Sequence, residues 1–248
     1  PLQALQSDFE QMSHMSGHNL QVYSGMIAAL DRSVGKVVAK LKDLEIYGKT
    51  LIIFTSDNGG ANYIELEDIN KPYRGWKISF FEGGIRVPYI VSWPDEINSG
   101  QKSDSPVHHF DIFSTIAAAA KVTPSNEKEI DGVNLLPFIK KEKLSQPHKT
   151  LFWRSGNHQS VLHENWKYII SKKENIRWLF DTSSDPLEKN NIIDVHPEET
   201  NLIEGLLSKF NSEQKEPLFP SAYEVPILID KYDGEQYVEG DEYIYWSN

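Results

Sequence analysis

Three short stretches carry side chains able to do chemistry together. The apolar run Leu51-Ile52-Ile53-Phe54-Thr55 leads into Ser56-Asp57-Asn58-Gly59-Gly60, and Arg74-Gly75-Trp76-Lys77 and Glu82-Gly83-Gly84-Ile85-Arg86-Val87-Pro88 follow. A strand that ends in Asp-Asn-Gly-Gly sets a carboxylate beside an amide oxygen at the carboxyl edge of a sheet, where open α/β sheets bind ligands. Hard oxygens of this kind suit Ca²⁺ or Mg²⁺. Lys77, just before a bend, can bring its ammonium to an oxyanion and donate a proton to a leaving oxygen. The competing reading of Asp57 and Asn58 is a tight turn in which both side chains bond their own backbone. Two ligands leave a coordination shell unfilled, so the remaining oxygens must come from elsewhere.

The elements that must position these residues can be read from periodicity. Over residues 18–44, Val22, Met26, Leu30, Val34, Val37, Leu41 and Leu44 recur at three- and four-residue spacing, which marks one face of a long helix, with Gly48 as its stop. The strand that follows is apolar throughout and reads as central in a parallel sheet. Residues 87–93 read as its neighbour, with Pro88 near the start where a missing amide is tolerated. Residues 111–120 form an alanine-rich helix with Asp111 near its amino end, expected to pack tightly on the sheet. Beyond Asp131-Gly132, short aromatic and β-branched runs around Leu151, Val161, Trp166 and Ile176 predict a small antiparallel sheet. A last helix over 197–210 turns Leu202, Ile203, Leu206, Leu207 and Phe210 inward. The fold class is α/β: the remainder of a mainly parallel central sheet flanked by helices, plus a small C-terminal antiparallel sheet packed with a helix. The expected division is 1–140 as the carboxyl-terminal part of a catalytic α/β domain, 141–215 as a small α+β subdomain and 216–248 as an acidic, aromatic tail.

A chain of 248 residues with 39% hydrophobic content can bury a real core. Its formal charge of −11 argues against a nucleic-acid backbone or an anionic membrane as principal partner. The acidity is concentrated: from residue 221 onward there are seven acidic residues against Lys231 alone. Cysteine is absent, which excludes disulfides, thiolate metal sites and a cysteine nucleophile in the chain as it stands. No run approaches the roughly 20 apolar residues of a membrane span. Pro1-Leu2-Gln3-Ala4-Leu5 lacks the features of a signal peptide and reads as an internal cut, with any targeting segment upstream.

Asp57-Asn58-Gly59, then Gly75-Trp76-Lys77, then Glu82-Gly83-Gly84-Ile85-Arg86-Val87-Pro88 together resemble the second half of the sulfatase family of the alkaline phosphatase superfamily. The resemblance extends to residues 107–115, to Asp131-Gly132-Val133-Asn134-Leu135-Leu136-Pro137, to Trp166-Lys167-Tyr168-Ile169 and to Asp185-Pro186-Leu187-Glu188-Lys189-Asn190-Asn191, covering about residues 1–210. It implies that Asp57 and Asn58 are late metal ligands, usually to calcium, and that Lys77 contacts the sulfate and its bridging oxygen. It also implies a formylglycine nucleophile, made from the first residue of a Cys/Ser-x-Pro/Ala-x-Arg motif, in a portion of the protein upstream of this chain. Ser145-Gln146-Pro147-His148-Lys149 ends in lysine and sits in a late loop, and is read as a polar loop. Pro1-Leu2-Gln3-Ala4 resembles the segment just after a catalytic histidine of the family, so that histidine and the early metal ligands are expected upstream.

Four further residues are candidates for substrate contact. Arg74 reaches substrate or braces the Lys77 loop; His109 lines the cleft or is structural; Arg154 and His158 lie in the subdomain that shapes substrate choice in the family. Trp153, Trp166, Trp178 and Phe180 are expected in core packing. The expected function is hydrolysis of sulfate monoesters on a small molecule or carbohydrate, with the isolated chain inactive, partnered by the upstream portion of the same protein, and periplasmic or secreted by resemblance. The alternatives are a phosphate mono- or diester hydrolase of the same superfamily and a non-catalytic carbohydrate- or protein-binding fragment.

Overall fold

In the computed structural model, residues 2–125, 129–216, 218–219 and 224–247 are described. Helices α1 (Gln6–Gln11) and α2 (His18–Asp43) pack on each other. Their contact is close because Gly25 has no side chain: a Cβ there would lie 3.1 Å from that of Ala4. Arg32 locks the pair with two 2.8 Å hydrogen bonds to the buried Asp8. The helix stops before Gly48, because Glu45 itself takes the left-handed conformation (φ 56°). Only Val22 and Gly25 of α2 are buried, and Leu30, Val37 and Leu44 of the apolar stripe are exposed.

Strand β1 (Ile52–Thr55) pairs with β2 (Tyr89–Ser92), as neighbours, but antiparallel, with Thr55 opposite Tyr89. This corrects the parallel arrangement expected for β1, and among the described residues β2 is its one partner. The physical reason lies in the intervening chain. It holds only a 3₁₀ turn (Asn62–Ile64) and the four-residue helix α3 (Glu82–Ile85), and it coils at the carboxyl end of β1 instead of crossing back over the sheet. Strand β1 is half-buried rather than covered on both faces. Helix α4 (Asp111–Ala119) buries Asp111 and Thr115 but leaves Phe113 and Ile116 exposed, so the tight packing expected of it is not made within these residues. Its two buried polar groups hold the next turn: Asp111 accepts from Val133 N at 2.9 Å and Thr115 from Leu135 N at 3.0 Å, leading into α5 (Leu136–Ile139).

The carboxyl-terminal sheet is an antiparallel meander of β3 (Thr150–Ser155), β4 (His158–His163), β5 (Trp166–Ser171) and β6 (Ile176–Asp181). Strand alternation gives it two apolar faces. Val161, Tyr168 and Leu179 meet Ile203 and Leu207 of α6 (Pro197–Glu213), whereas Leu202 is exposed and falls off the expected stripe. Ile169, Trp178 and Phe180 face the other way, onto Trp76 and Phe81 of the Lys77 loop and onto Ile227, Ile229 and Ile244. The last three belong to a hairpin, β7 (Glu224–Leu228) paired with β8 (Tyr243–Ser247), built from the acidic terminal segment. One face of the sheet is thus the platform on which the Lys77 loop is seated.

Candidate active site

Asp57 and Asn58 stand at the carboxyl end of β1. Asp57 is exposed, and one of its oxygens accepts from Asn58 N at 3.0 Å. Asn58 donates its side-chain amide to Gly59 O at 2.8 Å, which leaves its Oδ1 as the free acceptor. The two residues therefore make their own turn, with Asp57 exposed to solvent and Asn58 half-buried. Their oxygens could hold a hard cation only as part of a larger ligand set; among the described residues no group of three or more His, Cys, Asp or Glu converges to complete one.

Lys77 is tied to this turn by its backbone, its N–H donating to Gly60 O at 2.9 Å. Three glycine motifs interlock to hold that register. Gly59 N donates to Gly84 O at 2.9 Å, and a Cβ on Gly59 would come within 1.7 Å of Gly83 O. Gly83 N in turn donates to Arg74 O at 2.8 Å. Asn70, which sequence reasoning missed, stitches the same backbones: Oδ1 accepts from Gly60 N at 2.7 Å, and Nδ2 donates to Gly60 O and Gly75 O at 2.9 and 3.0 Å. The half-buried Lys77 is followed by Ile78 at φ 78°, a conformation that strains a β-branched residue by about 1–3 kcal/mol and persists only when its surroundings enforce it. Among the described residues no carboxylate pairs with the Lys77 ammonium, which remains available to an anion.

His109 joins this group. Its Nε2 lies 2.9 Å from Ser56 O and 3.4 Å from Thr55 Oγ1, beside the Asp57 turn. Its neighbour His108 stacks on Phe110 at 4.0 Å and touches Trp153 at 5.8 Å, and burial, then His109, holds its imidazole below the usual range.

The other three candidates are placed elsewhere. Arg74 gives its guanidinium to Asp230 (2.9 and 2.5 Å), Glu242 (2.6 Å) and Glu188 O (2.9 Å), and lies over the Phe81 ring, so its fork braces the loop. Arg154 donates to Lys215 O at 2.6 Å. His158 is buried in β4, 3.1 Å from Ser171 Oγ, and burial pushes its imidazole down to about 4. Each of the three has a partner within the fold: Arg74 through its whole fork, Arg154 and His158 through one nitrogen each.

Beneath the loop lies an ion triad that joins three of the quoted motifs. The fully buried Lys167 reaches Glu82 at 2.6 Å and Glu188 at 2.7 Å, and Glu188 also accepts from Glu82 N at 2.6 Å. Burial raises both carboxyls, but Lys167 and Arg86 bring Glu82 below its ordinary value, while Glu188 stays above its own. His148, in the late polar loop, contacts both oxygens of the buried Asp111 at 2.9 Å. An open cavity of about 440 Å³ near the amino terminus, lined by Leu2, Ala4, Phe9, His18 and Val22 among others, shares no residue with the Asp57 site.

Two family models match this architecture, that of sulfatases over residues 3–122 and that of the N-sulphoglucosamine sulphohydrolase C-terminal region over 75–216. The chain belongs to the sulfatase family. Among curated sulfatases, it is 36% identical over 137 residues to N-acetylgalactosamine-6-sulfatase of Sus scrofa, covering 54% of this chain and 26% of that protein. It is 38% identical over 138 residues to human steryl-sulfatase, covering 53% and 24%. The crystal structure of Ps i-CgsB superposes with a TM-score of 0.79 at 28% identity, covering 88% of this chain and 49% of that one. A phosphonate monoester hydrolase of Agrobacterium radiobacter shares the fold at a TM-score of 0.60 and 24% identity. The chain thus spans about a quarter of the length of these two curated sulfatases and about half that of the solved structure. The two family models overlap over 75–122, the segment that carries Lys77, the Glu82 turn and His109, and the terminal hairpin lies beyond both.

Proposed function

We propose that this chain contributes the metal-ligand turn and the leaving-group lysine of a sulfate monoester hydrolase. The nucleophile, a formylglycine, would lie on polypeptide outside these 248 residues. The supporting observation is the Lys77 N to Gly60 O bond, which ties the backbone of a lysine without a carboxylate partner among the described residues to the loop that follows Asp57-Asn58. Sulfatases named for an amino sugar and for a steroid lie at similar identity, which supports the shared bond, sulfate to alcohol oxygen, and leaves the alcohol open.

Asp57 and Asn58 would hold the calcium ion, whose charge polarises the sulfate oxygens when bound. The formylglycine would supply the attacking oxygen. The chain's own work is then done by Lys77. Its ammonium neutralises part of the sulfate charge and, as the bond from sulfur to the bridging oxygen breaks, gives that oxygen a proton so that it departs as the neutral alcohol. The interlocked glycines hold the backbone from which that side chain extends. The same reading makes the protein periplasmic or secreted, with a sulfated small molecule or carbohydrate as substrate; no described helix is long and apolar enough to cross a membrane.

The test uses the chain joined to its upstream polypeptide, with release of inorganic sulfate and of phosphate from matched aryl esters measured during calcium titration. Calcium-dependent sulfate release by the joined protein and none by the 248-residue chain is expected. Preferred phosphate release would transfer the site to the phosphoesterase alternative, and turnover by the chain alone would sink the assignment of the nucleophile to other polypeptide.

A further inference from the structure

The terminal hairpin lies beyond both matched family regions, yet it contacts the loop that carries Lys77. Asp230, which follows β7, takes Nε and one terminal nitrogen of Arg74 in a fork, at 2.9 and 2.5 Å. Glu242, which precedes β8, takes the same terminal nitrogen at 2.6 Å and also the Trp178 indole N–H at 2.6 Å. Backbone bonds reinforce the side chains. Gly75 N donates to Ile229 O at 3.2 Å, and Ile229 N donates to Glu242 O at 3.0 Å, so loop and hairpin share one ladder. The arginine side chain is only 13% exposed, and although burial disfavours its charge, Asp230 and Glu242 more than offset that.

We propose that the 224–247 hairpin is a clamp for the catalytic loop, with Arg74, Asp230 and Glu242 as positioning residues that fix the register of Lys77. Arg74 is the joint: its guanidinium holds the two hairpin carboxylates, while its carbonyl accepts from Gly83 N and so reaches the glycine cluster that grips Gly59. Two of the acidic residues of the terminal segment thereby have a local function, as counter-charges for one arginine. The catalytic consequence rests on the functional reading above; the structural one does not.

The test is site-resolved amide hydrogen exchange on the full 248-residue chain without substrate. In Asp230→Asn/Glu242→Gln, which keeps shape and removes charge, exchange at Gly75, Lys77 and Gly83 is expected to rise at least tenfold, with Tyr168 and Ile203 unchanged. Arg74→Lys, which keeps the charge and loses the fork, is expected to show the same pattern. Unchanged exchange in the loop, or an equal rise across the sheet, overturns the clamp; the second result makes the hairpin a general brace. In the joined, active protein the double variant should lose roughly 10- to 100-fold in kcat, the scale of a misplaced catalytic group. If Lys77→Ala leaves turnover intact, the hydrolase reading fails, and the exchange experiment still decides the clamp.

Discussion

Lys77 gains its character from what it lacks. A surface lysine is commonly solvated or paired, but this one is half-buried with no carboxylate partner among the described residues, one residue before a strained Ile78. Lys77→Ala in the joined protein should lower kcat by about 10²-fold or more, the usual contribution of a positioned proton donor. The unfolding free energy should change little, which urea denaturation would check. His158 shows the opposite case, a titratable group used for structure. Its folded-state value is about 4 against an ordinary 6.5, so between those limits the unfolded chain binds the extra proton. Stability conferred by the neutral imidazole is therefore complete above pH 6.5 and falls as pH drops towards 4. The size is about 3 kcal/mol on the conversion of 1.36 kcal/mol per unit. Unfolding followed at pH 7, 5.5 and 4 should show this slope, and His158→Gln should flatten it. Residue types alone did not separate these two roles: Lys77 was legible through its motif, while His158 needed the depth of β4.

At the scale of elements, the glycine-rich loop is ordered by being pinned from below. Lys167 on β5 lies between the Glu82 turn and Glu188, so the sheet and the loop share one buried charge group. Lys167→Met would leave two carboxylates facing each other out of water, and the expected loss is about 3–5 kcal/mol at neutral pH. That loss should shrink at acidic pH as one carboxyl protonates, so urea unfolding at pH 7 and pH 5 distinguishes the charge effect from simple loss of packing. The meander and the helix behind it were legible, because period-two and three-to-four patterns report burial directly. The direction of β2 was not, since an apolar run reads the same either way and its pairing depends on where the intervening loop coils. The hairpin was hidden for a related reason: acidic residues at Asp230 and Glu242 look like a solvated tail until their arginine is known.

At the scale of the molecule, the amino-terminal half leaves much of its apolar surface open. Leu30 and Val37 on α2 are 47% and 59% exposed, and Phe113 and Ile116 on α4 are 58% and 50% exposed, whereas the carboxyl-terminal sheet buries both faces. Surface of this kind marks a contact with further polypeptide or a liability to associate. The isolated chain should self-associate with concentration in light scattering, and Leu30→Glu/Val37→Lys should reduce that association without lowering the unfolding midpoint by more than about 0.5 kcal/mol equivalent. An isolated chain that stays monomeric at high concentration would count against this surface being a contact face.

The sequence by itself determined the family motifs, the Asp57-Asn58 turn and the lysine that follows it, because short-range chemistry and glycine placement are local properties. It also determined the helices and the meander, whose periodicity is written along the chain. Which charged groups are left without a partner among the described residues depends on the packing of segments far apart in the chain. Arg74, Glu82 and Glu188 are chemically as able as Lys77 to meet a substrate, and what separates them is partners brought in from distant segments. A buried charge must be matched where it lies, and no spacing along the chain states where that will be.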